Sequence, residues 1–224
     1  MNIYDQEFRE TIDAGSFASA LEVVPTVSKL ISANGSVLDV GCGEGQWLRA
    51  FKDLGHTVKG IDSGVEARYL EDYEYIEHDI ATSFPDPIEV DLWITLEVAE
   101  HLYADRADPF VDYLTSCGPL GLFSAAIPGQ GGTHHVNEQW PAYWVEKFNA
   151  RGYQVSGALR LEFWDNDNVE NWYRQNMMLV WDGSDTSTDF GDPESDVSSF
   201  FRGRGVSPVP LVHPVLYRHK TGAA

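Results

Sequence analysis

The stretch Ser36–Phe51, SVLDVGCGEGQWLRAF, decides the reading. An apolar run, SVLDV, ends in an Asp and three closely spaced glycines, and a helical pattern follows at once. That is the signature of a buried strand turning tightly into a helix, with bare backbone at the junction. The helix is predicted over Glu44–Leu54 and ended by Gly55, whose freedom at positive φ suits the residue past a helix terminus.

Outward from this unit, strand and helix patterns alternate. HTVKGID reads as a second strand, VEARYLED as a short helix and YEYIEHDI as a third strand. VDLWITLEV is a fourth strand, apolar enough to be buried on both faces. ADRADPFVDYLTSCG is predicted as a helix, LGLFSAAIP as a fifth strand, and WPAYWVEKFNARGY as a helix with Pro141 in its first turn. YQVSGALRLEF and RQNMMLVWD read as a closing antiparallel pair. The predicted fold is α/β: a Rossmann-like, doubly wound, mostly parallel seven-stranded sheet with a C-terminal antiparallel strand pair. A single domain is expected over 1–224, with an N-terminal helical cap (1–35), a core (36–181) and a C-terminal segment (182–224). In the cap, Ser16 is the expected helix N-cap and Pro25 a candidate kink. The acidic run Asp182–Asp196 is expected to be a mobile loop.

The bulk properties narrow the function. Thirty-five acids against 15 Lys and Arg give a net charge of −20, which repels a phosphate backbone, so no nucleic-acid partner is expected. Two cysteines, Cys42 and Cys117, form no disulfide framework, and the N-terminus lacks a signal-peptide pattern, so a soluble, cytoplasmic protein without membrane association is expected. The high aromatic content makes a homodimer possible, unless those rings line a pocket.

The glycines, Gly41, Gly43 and Gly45, are spaced GxGxG, not the GxGxxG of a dinucleotide site. Asp39 stands two residues before Gly41, where it would repel a pyrophosphate and favour a cationic ligand. Asp62 closes the next strand, where an acid commonly grips ribose hydroxyls. S-adenosyl-L-methionine (SAM), with an ammonium, a sulfonium and no phosphate, satisfies all three features; a nicotinamide dinucleotide is the competing ligand. VLDVGCGEG, KGID, EHDI and VDLWITLEVAEHL resemble the successive motifs of class I SAM-dependent methyltransferases over residues 36–155. The resemblance implies that Asp39 and the turn Gly41–Cys42–Gly43–Gly45 hold the methionine part. By the same token Asp62 takes the ribose, Asp79 and Ile80 the adenine, and Leu96 completes the cofactor set.

A second constellation follows the fourth strand. If TLEVAEHL opens a helical turn, Glu97, Glu100 and His101 share one face at i, i+3 and i+4. The Gly-rich stretch PGQGGTHHVNEQWP then brings His134 and His135 over the same sheet edge. Two carboxylates so close call for a cation, and carboxylates with imidazoles fit a divalent metal, Mg²⁺ or Mn²⁺ among others. The pattern E-x-x-E-H with a later His is similar to the metal-dependent O-methyltransferases, a branch that includes plant small-RNA 2′-O-methyltransferases. It implies Glu97, Glu100, His101 and His135 as ligands. His134 is then the candidate general base, with Glu97 and His101 also placed at the chemistry.

For the acceptor, Trp140 lies nearest the His loop, and Trp164, Trp172 and Tyr173 flank the polar insert DNDNVEN. Aromatic faces beside amides suit a saccharide. GGTHHVNEQWP, NWYRQNMMLV and LVHPVLYRH resemble small bacterial sugar and glycan O-methyltransferases, mycobacterial mannoside enzymes among them. A SAM-dependent O-methyltransferase of a small saccharide is therefore expected. A phenolic or natural-product hydroxyl, RNA methylation and non-catalytic SAM binding are the alternatives.

Overall fold

Seven strands pair into one sheet in the order β3-β2-β1-β4-β5-β7-β6. The computed structural model describes residues 6–183 and 211–222, with side chains from residue 15. The strands are β1 Ser36–Val40, β2 Thr57–Asp62, β3 Tyr75–Glu77, β4 Leu92–Leu96, β5 Leu120–Ser124, β6 Tyr153–Ser156 and β7 Met178–Asp182. The first five run parallel, and β7 is antiparallel to both β5 and β6. The predicted fold class is the observed one.

Alternation along each strand sends neighbouring residues to opposite faces. Val37, Leu92, Ile94, Leu122 and Leu179 join one core, with helices α1 (Gln6–Val27) and α2 (Gln46–Asp53). Leu38, Trp93, Phe123 and Val180 join the other, with α3 (Ala107–Cys117) and α4 (Pro141–Asn149). Both faces are covered, so the central strands are mostly apolar, as their sequences required. Asp39 has the parity of Val37, and Leu96 that of Ile94, so both face the side of α1 and α2.

Several local expectations change. VEARYLED is a run of turns, not a helix. Tertiary contacts outweigh its propensity: the Tyr69 N–H donates to the Glu44 carbonyl at 3.1 Å, and Arg49 lies over the Phe17 and Tyr69 rings. The strand in YEYIEHDI shortens to three residues. Ser16 is inside α1 instead of at its N-cap, and the helix continues past Pro25 to Val27. YQVSGALRLEF is strand only to Ser156. Gly157 stops it, and ALRLEF, rich in good helix formers, becomes α5 (Ala158–Phe163), burying Leu159 and Phe163. RQNMMLVWD likewise starts in α6 (Asn171–Asn176), so the insert between β6 and β7 is helical, not a simple hairpin. A last helix, α7 (Pro214–Thr221), returns to the body. The acidic stretch expected to be mobile lies, beyond Gly183, outside the described residues. Among the described residues, no helix is long and apolar enough to cross a membrane.

Candidate active site

Where β1 and β4 lie side by side, the helices that follow them diverge to opposite faces, and a crevice opens at their carboxyl ends. On the β1 side the chain turns sharply. The N–H groups of Gly41 and Cys42 both donate to the Ile61 carbonyl, at 2.8 and 3.2 Å. Gly41 and Gly45 have φ of 87° and 94°. A methyl group at Gly41 would meet the Val98 side chain, and one at Gly45 would lie 2.8 Å from Leu70 Cγ. Crowding and conformation therefore both require glycine at these two positions.

Asp62, at the end of β2, braces this turn. Its Oδ2 accepts the Gly43 N–H and its Oδ1 the Ser63 N–H, each at 2.7 Å. Asp39 is buried, and burial, reinforced by the charge of Asp62, pushes its carboxyl well above the ordinary range. Burial also raises Asp62, against the two N–H groups that hold it down. The turn thus presents a poorly solvated negative charge, which a cationic ligand would relieve.

The crevice widens into a cavity of about 820 Å³. Asp39, Gly41, Cys42, Gly43 and Leu96 line one part of it, and Glu97, Glu100, His101 and His135 another. Trp172 and Tyr173 from α6 also line it. Gly45 and Asp62 support the turn from outside the lining. Asp79 is exposed, its Oδ1 accepting the Ala81 N–H at 2.9 Å, and Ile80 packs with the second core; neither reaches the cavity. Trp140 is exposed away from it, and Trp164 packs on His213. His134 is exposed at φ 60° and is absent from the lining.

The second constellation is built differently from its sequence reading. Glu97 has φ 56°, so it precedes the helical turn, which is a single 3₁₀ turn at Ala99–His101. The loop that follows β5 is pinned to this turn: the N–H groups of Val136 and Asn137 donate to the Glu100 carbonyl at 2.9 and 3.0 Å. His135 is thereby brought against His101, ring centroids 4.9 Å apart and perpendicular, at 89°. One ligand atom from each of Glu100, His101 and His135 falls within 4.8 Å of the others. Glu97 stands outside that group. Gln130 Nε2 donates to its Oε2 at 2.6 Å, and Asn176 Nδ2 to its Oε1 at 3.0 Å.

Charge at this site is expensive. Burial raises the carboxyl of Glu97, against the amides that hold it. Glu100 is fully buried; burial first, then the neighbouring Glu97, pushes its carboxyl well up. Neither carboxylate oxygen of Glu100 has a hydrogen-bond partner of good geometry among the described residues. Burial, then His135, lowers the proton affinity of His101. A buried carboxylate short of well-formed hydrogen bonds, beside a proton-poor imidazole, fits a cation.

Sequence reasoning missed the amides Gln130, Gln175 and Asn176. Their signal was two polar residues, Gln175 and Asn176, one residue short of a buried strand, where water cannot satisfy them. It also missed α7. Buried His213 fastens this helix, donating its N–H to Gln175 Oε1 at 2.7 Å, with its Nε2 2.9 Å from the Trp164 carbonyl.

Comparison with known proteins bears on this arrangement. Residues 13–110 match a family model described as a methyltransferase domain. The match spans less than half of the chain. A SAM-dependent methyltransferase from Archaeoglobus fulgidus superposes with a TM-score of 0.53 at 16% identity, covering 77% of this chain and 93% of that one. The plantazolicin methyltransferase BpumL, solved with a desmethylPZN analogue and S-adenosylhomocysteine (SAH), gives 0.51 at 16%, covering 78% and 87%. A cyclopropane-fatty-acyl-phospholipid synthase-like protein from Lactobacillus casei gives 0.50 at 10%, covering 68% and 72%. No curated protein matches. The fold is the Rossmann-like methyltransferase fold. With the family match, it supports SAM as cofactor and methyl transfer as the class of reaction.

Proposed function

We propose that this chain is a SAM-dependent O-methyltransferase acting on a small saccharide, with a divalent metal held by Glu100, His101 and His135. The observation that carries the reading is the group of three ligand atoms within 4.8 Å, opening into the same cavity as the Asp39–Gly43 turn. In this reading the Asp39 carboxylate receives the ammonium of SAM, and the backbone of Gly41 and Gly43 lies against the methionine part. One carboxylate and two imidazoles favour Mn²⁺ over Mg²⁺. A bound metal supplies Lewis acidity that lowers the pKa of an acceptor hydroxyl.

The remaining tasks fall to side chains. Glu97 lines the cavity and accepts the acceptor's proton, held in place by Gln130 and Asn176. Trp172 gives a ring face, and neighbouring Asn171 an amide, to the acceptor; both line the cavity. That pairing supports a saccharide over a wholly aromatic substrate. His134, the base expected from sequence, has an exposed ring outside the lining, so Glu97 takes that role here.

The test is transfer of labelled methyl from SAM to panels of saccharides and phenols, with chelator and with Mn²⁺ or Mg²⁺ restored. Saccharide methylation that chelator abolishes and Mn²⁺ restores is expected. Full activity in chelator removes the metal, and turnover of phenols alone removes the saccharide.

A further inference from the structure

We infer that Glu138 is a positioning residue that fixes His135 in the tautomer and orientation a metal ligand needs. The inference rests on the metal reading above. Glu138 lies outside the cavity lining, yet its carboxylate organises the loop that carries His135. Its Oε2 accepts the Gly129 N–H at 2.7 Å, and its Oε1 accepts the Gly131 N–H at 2.6 Å. The same Oε1 lies 2.9 Å from His135 Nδ1.

A carboxylate that already takes two N–H groups is an acceptor only, so the proton of this contact belongs to Nδ1. Nε2 is then the nitrogen left to serve as a ligand. It faces Glu100 Oε1 at 4.0 Å, too far for a hydrogen bond and within the span of two ligands sharing one ion. Two glycines make the arrangement possible. Gly131 has φ 68°, which turns its N–H onto Glu138, and a side chain at Gly132 would collide with the His135 imidazole. A metal-ligating histidine whose other nitrogen donates to a carboxylate gains orientation and basicity, and losing such a partner weakens metal binding roughly 10–100-fold.

The test uses the whole chain and two readouts. Histidine ¹⁵N NMR of the metal-free protein should show His135 protonated at Nδ1, and Glu138→Ala should lose that preference. Mn²⁺ titration should show Glu138→Ala weakened roughly 10–100-fold and Glu138→Gln less so. SAH affinity, reporting the folded Asp39 turn, should not change in either variant. A wild-type His135 protonated at Nε2 overturns the inference. So does Mn²⁺ affinity that Glu138→Ala leaves intact, in which case the metal reading stands alone. A wild type that takes up no Mn²⁺ overturns both.

Discussion

Asn176 Nδ2 donates to Glu97 Oε1 at 3.0 Å across 79 positions of sequence, tying the last residue of α6 to the residue after β4. The same Nδ2 lies 2.9 Å from Gln130 Oε1, so one amide bridges both partners. Replacing Asn176 with Leu strips a buried carboxylate of a donor. The expected cost is about 1–3 kcal/mol in denaturant unfolding, with a fall in kcat larger than any change in SAH affinity. An unchanged kcat would show that Glu97 needs no such support.

Asp39 makes the metal-free, SAM-free protein sensitive to pH. Its carboxyl is raised above its ordinary value of 3.8 by burial and by Asp62, so the folded state binds that proton more tightly than the unfolded chain. The stability it contributes is present at low pH and declines as pH rises from that value through the raised one. Asp39→Asn should flatten the dependence and raise the Tm in neutral buffer, while weakening SAM binding measured by calorimetry. A Tm profile identical to wild type would contradict the burial of an uncompensated charge.

Gly41→Ala combines two penalties, a φ of 87° and contact with Val98. Holding a non-glycine residue in this region costs on the order of 1–3 kcal/mol. Adding Val98→Ala should recover the steric part and leave the conformational part, so the double variant should regain stability incompletely. SAM affinity should fall in both, because the proposed reading lays the methionine part against this backbone.

Trp172→Ala should raise the acceptor KM by the equivalent of about 0.5–1.5 kcal/mol, the usual worth of an aromatic contact, without altering SAH binding. Trp164→Ala, remote from the cavity, should act on stability through its packing with His213 and leave KM alone. Equal kinetic effects of the two would remove Trp172 from the acceptor site.

The sheet and the glycine turn were legible because both are local. SVLDV followed by GxGxG states a strand, a bend and a helix within sixteen residues. Glu100, His101 and His135 were also named from sequence, but the reason given for them was incomplete. Their convergence depends on the Glu100 carbonyl accepting from Val136 and Asn137, a contact no periodicity announces. Glu97 was assigned to the same helical face, and its positive φ sends it to the amides instead. GALRLEF and RQN, read as strand, differ because apolar spacing in so short a stretch fits a strand as well as a helix. Lys220 on α7 also lines the cavity; it adjoins LVHPVLYRH, a stretch whose resemblance assigned no role to any of its residues.

The reversed direction of β7 decides what reaches the rim of the cavity. A parallel strand delivers its last residues to the crevice, but an antiparallel one delivers its first, so Gln175 and Asn176 arrive on the rim at the entry to β7. The segment between β6 and β7 is anchored at both ends by their ladder, and it lends Leu159, Phe163 and Tyr173 to the core it shares with α1 and α2. In the proposed reading, one inserted segment therefore serves three places at once: the packing beneath the glycine turn, the amides on Glu97 and the ring of Trp172.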